Sequence, residues 1–311
     1  VPRLDLGGAL EQFDLEMQRR GYVAQLLLPI FEVMESSGKY PTIPIAQLLQ
    51  SRTLTRNVEG GYSRSGFTFT ENSYATTEYG TEEPVDDKEV KLYRNYFDVE
   101  MLATKRAVEA LLNAAEVRAV TALTNTAVIT QTAAANTAWS NAANAQPLTD
   151  FATARDAIWA ATGQWCNAVV MSRNKFNQLK DCLQIIDRIK NNSNYQVQRG
   201  QITEAMIASA FDVDRVIVSG TAKNSAAEGQ AATIASTWTD SKVLVAKLAV
   251  DNDLKTPCLG RTFHWSEDGS QPLGSIESYR DEKVRGDVIR VRHEVQEKVI
   301  YPELGYVITA A

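Results

Sequence analysis

Apolar residues recur at helical spacing through Phe97, Met101, Val108, Leu112, Ala115, Ala119 and Leu123. Asp98, Lys105, Arg106, Glu109, Glu116 and Arg118 fall between them as solvated positions. No Gly or Pro interrupts the stretch from Asp86 to Asn125, and it starts just after Pro84. The pattern predicts one helix over 86–125, about 50 to 60 Å long, roughly twice the width of a small domain. A helix of that length is a strut. The alternative pattern is two helices broken near Thr104.

On either side the period changes. Residues 1–58 alternate short apolar groups with breakers at Gly7, Gly8, Gly21, Pro29, Gly38, Pro41 and Pro44, with one short helix at Leu10 to Met17. Such a stretch has little means of burying itself and is expected to lie on something else. From Gly60 to Glu83, Phe67 and Phe69 alternate with Thr68 and Thr70, a turn is expected at Glu71-Asn72-Ser73, and Tyr74 begins the return of a β-hairpin. A lone hairpin is marginal in water, so it packs either on its own domain or on a neighbouring subunit.

Residues 131–147 carry no period and read as a connection of low helix and strand content. From Leu148 to Pro257 strands and helices alternate. Thr149 or Asp150 caps a helix that Gly163 stops, and Ser172 and Thr203 cap two more. Strands are expected at Ala168–Met171, Val216–Val218 and Val243–Val245. Along Val288 to Gln296, Ile289, Val291, His293 and Val295 share one face while Arg290, Arg292 and Glu294 share the other. This returning β-rich tail is expected to pack back on the long helix.

The 311 residues allow one large domain or two ordinary ones, and the net charge of −6 argues against a sequence-specific nucleic-acid reader, which needs a basic face. Cys166, Cys182 and Cys258 are too few and too scattered for a disulfide framework or zinc cluster, and they fit a reducing compartment. The apolar run Tyr22 to Phe31 contains Pro29 and is shorter than the ~20 residues of a membrane span. It follows no short basic start, so no signal peptide is expected.

Catalytic, cofactor and metal sites are not expected. His264 and His293 each sit in a strand pattern that packs histidines, and Cys166 enters a buried strand. No phosphate loop, dinucleotide fingerprint, nucleophile elbow or paired-histidine zinc helix occurs. Asp251 with Asp253, and Glu82, Glu83, Asp86 and Asp87, read as solvated acidic faces. The interleaved charges Arg280, Asp281, Glu282, Lys283, Arg285, Asp287, Arg290, Arg292, Glu294, Glu297 and Lys298 are either an ordinary strand face or a register-setting contact between identical subunits.

The order of these pieces, with Ser37-Gly38-Lys39-Tyr40-Pro41, Glu78-Tyr79-Gly80, Glu83-Pro84-Val85-Asp86-Asp87, Ala154-Arg155-Asp156-Ala157-Ile158, Phe211-Asp212-Val213-Asp214-Arg215-Val216, Asn224 to Gln230, Glu297-Lys298-Val299, Pro302 and Gly305-Tyr306, resembles the major capsid proteins of tailed double-stranded DNA bacteriophages. The resemblance implies an α+β fold of the Hong Kong 97 type. It divides the chain into an N-arm (1–58), an E-loop hairpin (59–85), a peripheral domain with spine helix and connection (86–147), an axial α/β domain (148–257) and returning peripheral strands (258–311). It further implies hexamers and pentamers closing into an icosahedral shell around double-stranded DNA held without sequence specificity. Portal and possible scaffolding or decoration proteins would be partners, with assembly in the bacterial host cytoplasm and no membrane.

Subunit contacts are then expected at Tyr62, Arg64, Phe67, Phe69, Tyr74, Tyr79, Arg280, Asp281, Lys283, Arg285, Asp287, Arg290, Arg292 and Glu297. Some relatives weld subunits through an E-loop lysine. Residues 60–83 contain Arg64 and no lysine, so no such crosslink is expected. The alternatives are an encapsulin-like compartment shell and, behind it, an α/β enzyme using one of the histidines.

Overall fold

The computed structural model describes residues 21 to 310, apart from residues 52, 53, 57–59, 63, 65, 67, 94, 97, 193–201, 228, 252 and 255. The short helix expected at Leu10 to Met17 lies outside the described residues. Chain order gives β1 (Ile30–Val33), β2 (Ser37–Thr42), β3 (Thr70–Ala75) and β4 (Thr77–Asp86), then the long helix Val99–Leu123 and β5 (Thr132–Ala134). Next come β6 (Ala168–Ser172), β7 (Arg215–Ser219), β8 (Ala222–Asn224), β9 (Ile234–Ser236) and β10 (Lys242–Ala246). Helices Pro147–Thr162, Arg173–Asp181, Leu183–Asn192 and Glu204–Phe211 are interleaved with them. The chain closes on β11 (Gly260–Trp265), β12 (Ser275–Asp281), β13 (Gly286–Val299) and β14 (Gly305–Thr309).

The helix expected over 86–125 is two helices, but the break is not at Thr104. Asp87–Tyr93 forms one, and a new helix starts at Val99. Asp98 is the reason: its carboxylate accepts the N–H of Met101, a side-chain bond that begins a helix and competes with continuing one. The 25 residues that follow span about 37 Å. The helix still bridges two cores. Ala103, Ala107, Val108, Leu111 and Leu112 pack on Val85, Ile276, Ile289 and Val291. One end further on, Ala119, Val120 and Leu123 pack with Leu27, Val170, Leu244 and Val307.

The first sheet is organised by the 14-residue β13. Its predicted alternation holds: Ile289, Val291, His293 and Val295 are buried while Arg290, Arg292 and Glu294 are not. β4 runs antiparallel along one edge, with Gly286 opposite Asp86 and Val295 opposite Thr77. β12 and then β11 line the other edge, and β1 adds in parallel to β11. Gly286 has to be glycine, because a β-carbon there would run into the Val85 carbonyl.

The second sheet has the order β5-β14-β10-β6-β7. In its central strands alternate residues serve alternate cores, so β6, β10 and β14 are largely apolar. Val169, Met171, Val243 and Val245 face the inserted helices. Ala168, Val170, Leu244 and Ala246 face the long helix. Ser172 and Thr203 cap helices as expected, each accepting an N–H three residues on, and Gly163, with φ of 63°, ends the helix from Pro147.

Three expectations are corrected here. β14 does not stay with the returning tail but pairs with β10, and Thr132–Ala134 is a strand beside it. Residues 22–33 do not merely lie on something: Val23, Leu27 and Leu28 are core, and β1 is a sheet strand. Finally, the turn expected at 71–73 lies inside β3, whose partner is β2, with Ser37 opposite Ala75 and Thr42 opposite Thr70. Tyr40 and Tyr74 explain that pairing, since both rings close over Phe263, Tyr74 stacked at 4.9 Å and Tyr40 at 5.2 Å.

Candidate assembly surfaces and a buried polar node

The hairpin is anchored at its base and bare at its end. Ile45 joins the α/β core, and the Ala75 N–H donates to Gln296. Beyond the β2–β3 ladder the chain leaves Leu54 78%, Tyr62 74% and Phe69 60% exposed, with Arg64 exposed beside them. Phe67, expected here, lies outside the described residues. Tyr74 and Tyr79 differ from the rest of that set, because both rings are engaged within the chain. β2 also gives the hairpin a lysine that residues 60–83 lack: Lys39, paired with Glu71 at 2.8 Å.

The tail charges form rows across the first sheet. Arg290 stands directly between Glu82 on β4 (2.6 Å) and Glu277 on β12 (3.9 Å). Arg292 reaches Asp268 (2.6 Å), Glu277 (3.2 Å) and Glu78 (3.6 Å). Arg280 grips Asp87 with two bonds and holds its carboxyl below the usual range, and Asp287 lies 3.8 Å away. The exposed pairs among these add little stability, but a slip of one residue would leave each charge opposite the wrong neighbour. At the β12–β13 turn Lys283 and Arg285 are exposed, and the Lys283 N–H donates to Asp281. Glu297 faces inward, bonded to Arg118 at 2.9 Å.

That inward face is a polar node the sequence did not announce. Arg118 bonds Glu297, lies over the Tyr79 ring and reaches His293 Nε2 at 3.2 Å. A guanidinium only donates, so Nε2 accepts, and Nδ1–H donates to the Pro272 carbonyl at 3.1 Å. The ring is therefore neutral. Burial pushes its pKa down to about 4, with the Arg118 charge acting in the same direction. His293 borders a cavity of about 100 Å³ under residues 22–30, with Glu116 and Glu297. Its basic nitrogen is already occupied, which is poor equipment for a general base. His264 is equally packed, Nε2 lying 3.3 Å from the Ser270 hydroxyl, and burial lowers its pKa.

Glu116, expected at a solvated position, is fully buried. It sits on the apolar stripe between Leu112 and Val120, and its carboxylate accepts the N–H groups of Val23 and Ala24. An acid one turn from leucine and valine on the same helix face was the available signal. Burial raises its pKa to about 7 against the hydrogen bonds that pull it down.

The other candidates are structural. Cys166, Cys182 and Cys258 are buried free thiols, the first two pushed up to about 11 by burial. Asp251 bonds Thr256 and approaches Arg261 at 3.5 Å. Among the described residues no group of three histidine, cysteine or carboxylate side chains is placed to hold a metal, and no helix is long and apolar enough to cross a membrane.

No family model matches the chain, and no curated protein does. Solved structures match it nearly end to end. A phage-related protein from Bordetella bronchiseptica superposes with a TM-score of 0.67 at 18% identity, covering 94% of this chain and 92% of that one. The capsid structure of cyanophage P-SCSP1u superposes at 0.60 and 13% identity, covering 91% and 86%. This is the Hong Kong 97-type capsid fold. An encapsulin from Synechococcus elongatus shares the capsid fold too, at 0.53 and 10% identity over 93% and 87%.

Proposed function

We propose that this chain is the major capsid protein of a tailed bacteriophage, assembling as hexamers and pentamers into an icosahedral shell around double-stranded DNA. The extent of the shared fold carries this reading, since the cyanophage capsid covers 91% of the chain. In this reading the N-arm lies within residues 1–58, the E-loop hairpin within 59–85 and the axial domain within 148–257, whose sheet β5 and β14 complete, while the rest of 86–147 and 258–311, with β1 and β4, forms the peripheral domain. Tyr62, Arg64, Phe67 and Phe69 then meet an adjacent subunit, as do Lys283 and Arg285 at the β12–β13 turn. The exposed apolar hairpin end supports that assignment, because a soluble monomer gains nothing from Leu54, Tyr62 and Phe69 in water. A net charge of −6 suits a wall that encloses DNA without gripping it. Portal, scaffolding or decoration proteins would complete a virion built in the bacterial cytoplasm. The protein's role is assembly, not turnover.

A second reading, a bacterial compartment shell, draws on the encapsulin match. Negative-stain electron microscopy of purified particles, with the absorbance ratio at 260 and 280 nm, tests both. Closed polyhedral particles or capsomer rings are expected, and DNA inside particles from infected cells selects the virus. Protein-filled particles without DNA would select the compartment. A discrete monomer or dimer at high concentration would overturn both.

A further inference from the structure

Glu116 joins three separate parts of the molecule. It is on the long helix, it accepts the N–H of Ala24 at 2.8 Å and of Val23 at 3.1 Å, and the Thr221 hydroxyl after β7 lies near enough to its carboxyl to favour the ionised form. Those N–H groups open the one-turn helix Ala24–Leu27, whose Leu27 and Leu28 fill the core beside Ala119 and Leu123. Next to this point the Gly220 N–H donates to the Gly21 carbonyl, and Gly21, at φ 79°, packs against the Gly220 backbone. Val23, Leu27 and Leu28 hold segment 21–28 by burial, Tyr22 bonds Asn113, Thr262 bonds the Leu28 carbonyl, and Glu116 is the acidic side chain that accepts its N–H groups.

We propose that Glu116 is a proton-controlled latch, holding segment 21–28 on the long helix when protonated and loosening it when ionised. Protonated, the carboxyl still accepts both N–H bonds and can donate its own proton to Thr221 Oγ1. Ionised, it leaves a fully buried negative charge that, among the described residues, no cation pairs and only the Val23 and Ala24 N–H groups and the Thr221 hydroxyl offset. The titratable groups around the same cavity do not offset it. Tyr22 is from the segment itself and bonds Asn113, and β11 contributes only Thr262. From β13, Glu297 is paired with Arg118 of the helix, and His293 is neutral. Docking therefore takes up a proton. The carboxyl pKa is about 7 when the segment is docked and 4.5 at its ordinary value, so docking is strongest below pH 4.5 and is lost as pH rises through 7. The inference does not depend on the chain forming shells.

Hydrogen exchange of the full chain from pH 5 to pH 8, corrected for intrinsic rates, tests it. The reporters are the Leu27 and Leu28 amides, bonded to the Val23 and Ala24 carbonyls, against Leu244 in the core strand β10. The expected result is a protection loss on the order of 70-fold at Leu27 and Leu28 across that range, with Leu244 unchanged. Glu116→Gln, which accepts and donates as the protonated acid does, is expected to abolish the pH dependence while keeping the low-pH protection. Flat protection in the natural protein, a parallel loss at Leu244, or an undiminished pH dependence in E116Q would each overturn the latch. If E116Q does not fold, the two sets of amides in the natural protein decide it alone.

Discussion

Arg118 on the long helix lies over the ring of Tyr79 on β4, its guanidinium carbon 3.7 Å from the ring centroid. The same group bonds Glu297 and His293 on β13, so one planar cation ties the helix to two strands of the first sheet.

Arg118→Lys keeps the charge and loses the plane. It can neither cover the ring nor reach both partners, and an expected loss of about 1–3 kcal/mol follows from leaving Glu297 and His293 short of donors. Urea unfolding of the unassembled chain measures it. A double-mutant cycle with Tyr79→Leu is expected to show coupling above about 0.5 kcal/mol. Strictly additive losses would show that ring and guanidinium act independently.

His293 and Glu116 titrate in opposite senses. His293 is neutral in the fold with a pKa near 4 against 6.5 ordinarily, so the unfolded chain binds more protons between those values. Stability therefore falls as pH drops from 6.5 to 4, by about 3 kcal/mol in all. Glu116, raised to about 7 from 4.5, makes stability fall as pH rises through that window. The natural chain is expected to have a shallow pH profile in which the two slopes offset. His293→Gln should leave the Glu116 slope alone, more stable toward pH 4.5, and Glu116→Gln should leave the His293 slope, more stable toward pH 6.5. Thermal unfolding from pH 4 to 7.5 reads both. Identical profiles for the two variants would sink the assignment.

Gly286→Ala tests the tightest point of the first sheet. The added carbon meets the Val85 carbonyl within the β4–β13 ladder, where neither backbone can yield without breaking register. A loss of about 3 kcal/mol or more, or insoluble expression, is expected. Gly61→Ala, which adds its carbon in open space, is the control expected to be neutral. Wild-type melting of G286A would mean the register is looser than the ladder implies.

Much of this was legible because it is local. The alternation Ile289-Val291-His293-Val295 wrote β13, and Ser172, Thr203 and Gly163 marked helix ends through bonds made within three residues. What the pattern hid is non-local. Nothing near Ser37–Thr42 says that its partner is Thr70–Ala75, because that pairing is fixed by Tyr40 and Tyr74 meeting Phe263 from far along the chain. β14 reads as one more tail strand, and only the apolar faces of β10 decide where it goes. Asp98 and Glu116 both read as solvated positions on a helix face. One starts the helix, and the other is buried by a segment whose approach no periodicity records.

The hairpin end carries the last prediction. Deleting residues 61–83 outright would remove β3 and most of β4 and so unfold the sheet, which makes it a poor test of assembly. Leu54→Ser, Tyr62→Ser and Phe69→Ser together spare every ladder bond and change only side chains that face water. Each substitution should move monomer stability by no more than about 0.5 kcal/mol. In an assembled shell the same side chains would be buried against a neighbouring subunit, and losing one large apolar contact there costs about 1.5–3 kcal/mol. The triple variant is expected to stay folded by circular dichroism, to elute as free subunits or small rings, and to give no closed particles under the electron microscope. Normal particles from that variant would remove the hairpin end from the subunit contacts and leave the β12–β13 turn, with Lys283 and Arg285, as the surface to test next.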